Sequence, residues 1–510
     1  MSRLIKKVLC HGAVLLTAML FILSSTAESK EKVVKYPNGD WKSMDPAFIT
    51  GVIESYVAMN IHSGLVTWEY GTTKIIPDLA ESWEVSQDGT VYTFKLRKGA
   101  KFHQGFGEVT AEDVKYSFDR VLDPKTGAFL AKTFKMIKEI KVIDKYTVQF
   151  VLQQPFAPFL TRLTSFKTGG IIPKAAVEKF GDKFGLNPVG AGPFEWVSGN
   201  PRGDMVLKAF DEYYGGRAKL DKVIFPHIVD DSTAYVAFEG GDLDFVNVQD
   251  PEIMKRYKAD PKIEIQTKPG LNVNYLVMNC AEKPFSDIKV RQAVAHAIDK
   301  KALIETVLKG LAAELTGPVP AGCDFYDSNV AKYPYDPAKA KKLLAEAGYP
   351  NGFETTLYTF IWGPAVNVVT AIQGMLKQVG INAKIQADEP TVNFEKVSTG
   401  KTPIGLFRLT RATEPDDYLA IQLDPESFPQ WNFGHYNNPK VTELMKQGII
   451  TTGADKRREI YSNIQKMVMD DLPNIWLYSD NVSTAYKKYI KGYQLDPLWS
   501  KRMYPVDTEK

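Results

Sequence analysis

Two kinds of hydrophobic pattern alternate along the chain, one typical of strands and the other of helices. At 91–97 two aromatic residues and a leucine share one face, and mostly polar residues share the other, which predicts a strand. Thr110 then opens a helix as its N-cap, with Asp113 in the place that a capping box gives to Glu. Apolar residues follow at helical spacing, namely Val114, Phe118 and Val121.

The second half of the chain continues this alternation with longer elements. One helix begins at Asp336, has Pro337 in its first helical position and ends at Gly348. The predicted elements are a helix at about 290–308, the helix at 336–348, a strand at 353–360, a helix at about 366–379, and strands at 381–385 and 474–478. The strand, helix and strand that follow residue 352 form a βαβ unit. The fold class is therefore α/β, in more than one lobe.

The first 27 residues have the pattern of a secretory signal peptide. Three cations precede an apolar run at 8–23, and small residues end at Ala27, after which we expect cleavage. A membrane anchor is the alternative, but the run is shorter than the ~20 apolar residues that a spanning helix needs. Cys10 lies at the front of the run and not after the cleavage site, so we do not expect a lipoprotein. The mature chain is predicted to be exported and soluble.

Composition sets limits on size and partners. The 510 residues are 44% hydrophobic and 24% charged, as in an ordinary globular protein. At about 100–200 residues per domain, this length predicts two to three domains. The formal net charge is +3 with both signs interspersed, and no basic run is dense enough for a nucleic-acid or membrane surface. We therefore expect no nucleic-acid partner.

The sequence carries no recognisable catalytic or metal-binding motif. It has no Gly-x-Ser-x-Gly elbow, P-loop or His-Glu-x-x-His, and its six histidines include no pair with metal-ligand spacing. We therefore predict that the protein is not an enzyme and has no cofactor or metal; a secreted hydrolase is the rival. Only Cys280 and Cys323 remain after cleavage. Export permits a disulfide between them, and two free buried thiols are the open alternative.

Six segments of the mature chain carry a resemblance to a known family. They are 80–97 (AESWEVSQDGTVYTFKLR), 101–105 (KFHQG), 110–118 (TAEDVKYSF), 190–194 (GAGPF), 290–300 (VRQAVAHAIDK) and 335–350 (YDPAKAKKLLAEAGYP). In this order they resemble the family 5 extracellular solute-binding proteins of ABC importers, the large receptors for peptides, opines and nickel complexes.

The resemblance implies a two-lobe periplasmic-binding-protein fold, type II in its large three-subdomain form, with a cleft between the lobes. The implied domains are a signal peptide at 1–27, a first lobe at 28–268 plus 482–510 with an inserted subdomain at about 66–185, and a second lobe at 269–481. Hinge closure around a small-molecule ligand would present the closed form to the transmembrane subunits of the permease. We expect a monomeric periplasmic receptor.

Arg411 departs from the pattern of the peptide-binding members. They typically have an aspartate here, which pairs with the α-ammonium of the ligand, so the charge is reversed in this chain. A guanidinium suits a carboxylate, sulfonate or phosphate, which it binds bidentately. The neighbourhood of Trp362 also lacks the arginine that resembles a carboxylate clamp in the dipeptide binders. The alternative for Arg411 is a salt bridge to Glu414 or Asp416.

Other residues complete the predicted site. Trp362 lies between a predicted strand and a helix, where open α/β sheets bind ligands. The resemblance adds two pairs of residues, Asp40 and Trp41 at the cleft edge of the first lobe and Trp431 and Asn432 from the second lobe. We predict a receptor for a small organic solute with an acidic group near Arg411 and an apolar or ring portion near Trp362 and Trp41. A peptide receptor that uses other anchors is the alternative, and a nickel-chelate receptor ranks below it.

Overall fold

The computed structural model describes residues 30–49, 51–164, 168–361, 363–410, 413–428 and 431–510. The predicted signal peptide lies outside these ranges. Within them, no helix combines the length and the apolar character that crossing a bilayer requires.

The strands range in length from two to 14 residues. They are β1 Val33–Lys35, β2 Val66–Trp68, β3 Ile75–Pro77, β4 Ala80–Val85, β5 Val91–Leu96, β6 Ile137–Asp144, β7 Thr147–Leu152, β8 Phe194–Ser198, β9 Met205–Ala209, β10 Lys222–Phe225, β11 Phe245–Asn247, β12 Ile263–Pro269, β13 Asn272–Met278, β14 Ala312–Glu314, β15 Phe353–Phe360, β16 Ile381–Asp388, β17 Ile404–Thr410, β18 Asn474–Lys487, β19 Ile490–Lys491 and β20 Asp507–Thr508.

Most of the longer helices lie in the second half of the chain. The helices are α1 Val52–Ile61, α2 Ala111–Leu122, α3 Phe159–Arg162, α4 Lys174–Phe180, α5 Asp231–Gly240, α6 Pro251–Ala259, α7 Ile288–Ala297, α8 Lys300–Ala302, α9 Pro337–Glu346, α10 Ala365–Gln378, α11 Pro390–Ser398, α12 Pro415–Leu423, α13 Pro439–Ile450 and α14 Ala454–Asp471.

Three large sheets organise these elements. One has the order β1-β10-β9-β8, a second is the antiparallel sheet β4-β5-β7-β6, and the third has the order β11-β18-β13-β17-β15-β16. Strand β18 extends from one lobe to the other, because its residues 474–480 pair with β13 and β14 while its later residues pair with β11 and β12. The crossing point of this strand is therefore close to Asp480.

The three largest buried cores lie against different sheets, and a smaller one packs around α5 and α6. The first-lobe core combines residues from both ends of the chain, from Val34 to Phe245 and from Val482 to Val506. The insert core lies under β4–β7 and α2 and includes Phe159 of α3. The second-lobe core lies between 273 and 478 and includes Tyr418 and Leu419 of α12. A mixed α/β fold with two lobes and a further subdomain accounts for these separate cores.

Several predicted elements are confirmed. The capping box between Thr110 and Asp113 is present at the start of α2. Strand β5 matches the alternating stretch at 91–97, and β15 and β16 run parallel with α10 between them, as a βαβ unit requires.

Two predicted elements differ from the structure. The helix at 290–308 is wrong as a single element, since α7 ends at Ala297 and Asp299 then caps α8 by accepting a hydrogen bond from the Ala302 N–H at 2.9 Å. The strand at 474–478 is wrong in length, because β18 continues to Lys487 by pairing with first-lobe strands.

Candidate ligand-binding site

A cavity of about 490 Å³ lies between the lobes and takes its walls from both. The first lobe contributes the aromatic side chains of Tyr56, Trp68 and Trp499, and the second contributes Asn272 and Arg408. Much of the remaining wall is apolar, including Leu130, Val248, Leu271, Val307, Leu308, Leu311, Val482 and Leu498. Ligand pockets in proteins typically measure ~300–1,000 Å³ and are mostly apolar with a few polar groups. The cavity therefore has the size and lining of a site for a small organic molecule.

Arg408 is a charged group of the cavity that the sequence analysis did not identify. It is the only charged residue of β17, and its side chain is 26% exposed. Its Nε donates to Oδ2 of Asp480 at 3.1 Å, and Asn274 Nδ2 donates to the same oxygen at 3.1 Å. The sequence could have indicated Arg408, because it is a single arginine in an otherwise uncharged strand. An arginine that is partly buried in this way requires a partner or a function.

The crossing point of β18 is tied to the same group of polar residues. The Asp480 N–H donates to Asn272 Oδ1 at 2.9 Å, and the Asp480 carbonyl accepts from the Gly270 N–H at 3.1 Å. Asp480 therefore contacts both the cavity arginine and residues 270–272, which lie at the predicted boundary where the chain first passes from one lobe to the other. A ligand that changes the Arg408–Asp480 contact would act directly on the chain segments that join the lobes.

Direct bonds also join the insert to the second lobe beside the cavity. Arg162 of α3 forms a bidentate ion pair with Asp417 of α12, with Nη2–Oδ1 and Nη1–Oδ2 distances of 2.5 and 3.1 Å. Thr161 Oγ1 donates to Glu414 Oε1 at 3.1 Å. Arg162 and Asp417 line the cavity, and their side chains are 21% and 15% exposed. These bonds join two walls of the cavity and form what we call the cleft latch, Thr161–Glu414 and Arg162–Asp417.

A buried acidic cluster lies behind the latch. Arg457 Nη2 donates to Glu414 Oε2 at 2.8 Å, and the Tyr461 hydroxyl donates to Asp416 Oδ2 at 2.6 Å. Burial raises the pKa of Asp416 to about 7, against the opposing effects of the Tyr461 hydrogen bond and the Arg457 charge. Glu414 and Asp416, the alternative partners for Arg411, therefore both contact Arg457 Nη2, at 2.8 and 3.7 Å.

This pKa predicts a pH dependence of stability. The pKa of Asp416 rises from 3.8 to about 7 on folding, so the folded state retains a proton that the unfolded chain releases, and stability falls as pH rises between these values. Replacing Asp416 with asparagine should remove this slope. The gain in the free energy of unfolding of the variant over the wild type should therefore be larger at pH 8 than at pH 5, by about 1 kcal/mol or more. Urea unfolding at the two pH values measures the difference. Asp119→Asn, at an exposed position of α2, is the control, and equal slopes for Asp416→Asn and the wild type would contradict the assignment.

None of the predicted site residues that the structure describes is among those lining the cavity. Arg411 and Trp362 lie outside the described residues. Trp41 is buried at 2% exposure in the first-lobe core, where its ring meets the edge of Trp196 at 5.6 Å between centroids. It is not among the residues that line the cavity.

The other three predicted residues also lie away from the cavity wall. Asp40 is exposed, and its Oδ1 is 2.7 Å from Nε2 of His227. Trp431 packs against Phe394 and Phe433 with centroid distances of 5.3 and 5.9 Å. Asn432 is buried with a φ of +52°, and its amide bonds the backbone of residue 436 through both Nδ2 and Oδ1. The ligand role of these three residues stays a prediction.

The two cysteines are free thiols, so the proposed disulfide is not present. Cys323 Sγ donates to the Thr413 carbonyl at 2.6 Å, whereas Cys280 lies near the carbonyls of Met278 and Pro473. Burial raises the pKa of Cys280 to about 11, so this thiol is a poor nucleophile at neutral pH.

Comparisons with known proteins identify the family. Residues 74–430 match the model of the bacterial extracellular solute-binding proteins, family 5. The chain is 31% identical to the dipeptide-binding protein of Escherichia coli K12 over 98% of both chains. Its fold matches HbpA2 of Haemophilus parasuis with a TM-score of 0.87 at 26% identity, covering 94% of this chain and all of the other.

A third similar protein was solved with its ligand. MoaA of A. tumefaciens R10 in complex with mannopinic acid has a TM-score of 0.76 and 29% identity, covering 94% of this chain and all of that chain. The matches to sequence and structure span nearly the whole chain. This protein therefore belongs to the family 5 bacterial extracellular solute-binding proteins.

Proposed function

We propose that this protein is the periplasmic substrate-binding component of an ABC importer and that it captures a small organic acid by closure of its lobes. The observation that carries the proposal is the cavity of about 490 Å³, which is walled by both lobes and contains a cationic side chain. Capture of a solute by closure of the lobes requires no covalent step, so the proposed function is not an enzymatic one. A monomer exported with cleavage after Ala27 would deliver its ligand to the transmembrane permease subunits.

The lobe boundaries belong to the same proposal. We place the first lobe at 28–268 plus 482–510, its insert at about 66–185, and the second lobe at 269–481. Support comes from β18, whose pairing partners change between Asp480 and Val482, and from the division of buried residues among the three cores. Closure about the crossing segments would bring the aromatic wall of the first lobe toward Arg408.

The acidic character of the ligand is supported by charge at one end of β17. Arg408 lines the cavity, and Arg411 follows three residues later, where we propose it contacts the same ligand group. Two guanidinium groups attract a carboxylate and repel an ammonium, especially where little water screens them. The relative that was solved with mannopinic acid shows that a protein of this fold accommodates an organic acid.

A peptide ligand is the second candidate. The carboxylates of Asp417 and Asp480 line the cavity and suit an α-ammonium, although each is already paired with an arginine. The similar dipeptide-binding protein of E. coli also favours this alternative. A nickel chelate is less well supported, because the described part of the chain has no group of three or more residues suited to hold a metal ion.

Melting curves with a panel of compounds that differ in their charged groups separate the two candidates. The panel contains mannopinic acid, free di- to pentapeptides, their N-acetyl derivatives, which lack the ammonium, and their amides, which lack the carboxylate. Ligand binding stabilises the folded state by ~2.7 kcal/mol at a hundredfold excess over Kd. We expect mannopinic acid or the N-acetyl peptides to raise the melting temperature and the amides to have no effect. Shifts limited to compounds with a free ammonium would support the peptide alternative instead.

A further inference from the structure

Trp499 has an unusual backbone conformation beside the cavity. Its φ is +63°, in the left-handed region that bulky residues rarely adopt. Asp496 holds this turn by accepting from the N–H groups of Leu498 and Ser500 at 3.0 and 3.1 Å and, through its carbonyl, from the Trp499 N–H at 3.0 Å. Glycine would adopt the same φ at no steric cost. The backbone conformation alone therefore does not favour a tryptophan here.

The side chain of Trp499 forms part of the cavity wall. It packs partly against the first-lobe core and lines the cavity together with Trp68 and Tyr56. Its indole Nε1 is buried and has no hydrogen-bond partner among the residues that the structure describes. An unsatisfied buried donor and a strained backbone both lower stability, and such features concentrate at functional sites.

Arg162 lines the cavity from the insert and is paired with Asp417, whereas the charged groups opposite the aromatic wall belong to the second lobe. Arg408 and Asp480 line the cavity from β17 and β18, whereas the aromatic wall comes from the first lobe. A ligand that contacts both walls therefore needs an anionic group and an apolar face.

We propose that Trp499 is a specificity-determining residue that takes a planar ring of the ligand, and that the ligand class is a ring-bearing organic acid. This inference rests on the proposed function, since it assumes that the cavity captures a solute. The ring would pack against the indoles of Trp499 and Trp68, and its carboxylate would meet Arg408. A small rotation of the Trp499 indole would offer its N–H to an acceptor on the ligand.

Two probes that differ only in a ring test this inference. Hippurate (N-benzoylglycine) and N-acetylglycine share a carboxylate and an amide. We expect calorimetry to give the wild type at least a ~10-fold tighter Kd for hippurate, because the ring adds apolar burial and aromatic contacts. Trp499→Gly should lose this preference, with the two Kd values within about twofold of each other. Trp499→Phe should restore part of it.

Stability provides an independent measurement on the same variants. Glycine relaxes the positive φ but also removes the packing of the indole on the first-lobe core, so the melting temperature of unliganded Trp499→Gly should lie close to that of the wild type. The matched control is Phe325→Gly, which also replaces an aromatic residue at positive φ, +59°, but one that stacks on Tyr461 away from the cavity lining. It should leave the preference for hippurate unchanged.

The outcomes distinguish this inference from the proposed function. A hippurate preference that survives in Trp499→Gly, or a large loss of melting temperature in that variant, would assign Trp499 to packing alone and overturn the inference. Binding of mannopinic acid without binding of hippurate would overturn the ring-bearing class and leave the proposed function intact. Failure of every acid to bind would remove both.

Discussion

Replacing Arg408 with glutamine should weaken the binding of acidic ligands by ~100-fold or more, since hydrogen bonds to charged groups contribute ~1.5–3 kcal/mol and the variant leaves a carboxylate uncompensated. That carboxylate is Asp480, which accepts from Arg408 Nε at 3.1 Å and would then repel an incoming acid. Calorimetric titration of the best acid from the panel measures the loss. We expect Arg411→Ala to cause a loss of the same kind.

Three further variants separate charge from geometry at Arg408. Arg408→Lys keeps the charge without the planar fork and should bind acids with intermediate affinity. Asp480→Asn removes the competing carboxylate and should tighten acid binding. Arg202→Gln changes an exposed arginine in the loop between β8 and β9 and should have no effect. If Arg408→Gln binds acids as tightly as the wild type, this residue does not contact the anionic group of the ligand.

Removal of the charges from the cleft latch should open the unliganded protein and weaken every cavity ligand by about the same factor. The double variant Arg162→Gln/Asp417→Asn eliminates the bidentate pair, whose distances are 2.5 and 3.1 Å, without leaving a charge unpaired. Partly buried bidentate pairs of this kind stabilise by about 1–2 kcal/mol, which corresponds to a ~10-fold rise in Kd. Small-angle X-ray scattering should show a larger radius of gyration without ligand.

The exposed pair Lys115–Asp119 on α2 provides the matched control for the latch. Lys115→Gln/Asp119→Asn removes an ion pair of 2.6 Å that lies within a single helix, so it should change neither the radius of gyration nor the Kd. An affinity loss confined to acids would show that Arg162 contacts the ligand and does not serve as a latch. An unchanged radius of gyration would show that the pair does not determine closure.

Local signals predicted much of the secondary structure. The capping box at Thr110 and Asp113 and the βαβ unit of β15, α10 and β16 depend on neighbouring residues, so their patterns are visible in the sequence. The break after α7 was missed because apolar spacing continues through it, whereas Asp299 starts a new helical segment by capping.

The candidate site was harder to predict, because it is built from long-range contacts. Strand alternation assigns Arg408 to a face of β17 but does not show that this face borders a cavity. The family resemblance implies that Trp41 lies at the cleft edge, yet it is buried against Trp196, a contact between distant residues. Trp499 reaches the cavity only because the C-terminal segment returns to the first lobe, and its positive φ has no sequence signature other than an unexpected tryptophan.

The most direct test of acid capture is calorimetric titration of one acid and its methyl ester into the wild-type protein. The pair differs by one methyl group and by the charge that Arg408 and Arg411 are proposed to recognise. We predict that the acid binds and that esterification weakens binding by ~100-fold, the factor expected for a lost charge-assisted contact. Equal affinities for the acid and the ester would contradict an anion-selective cavity.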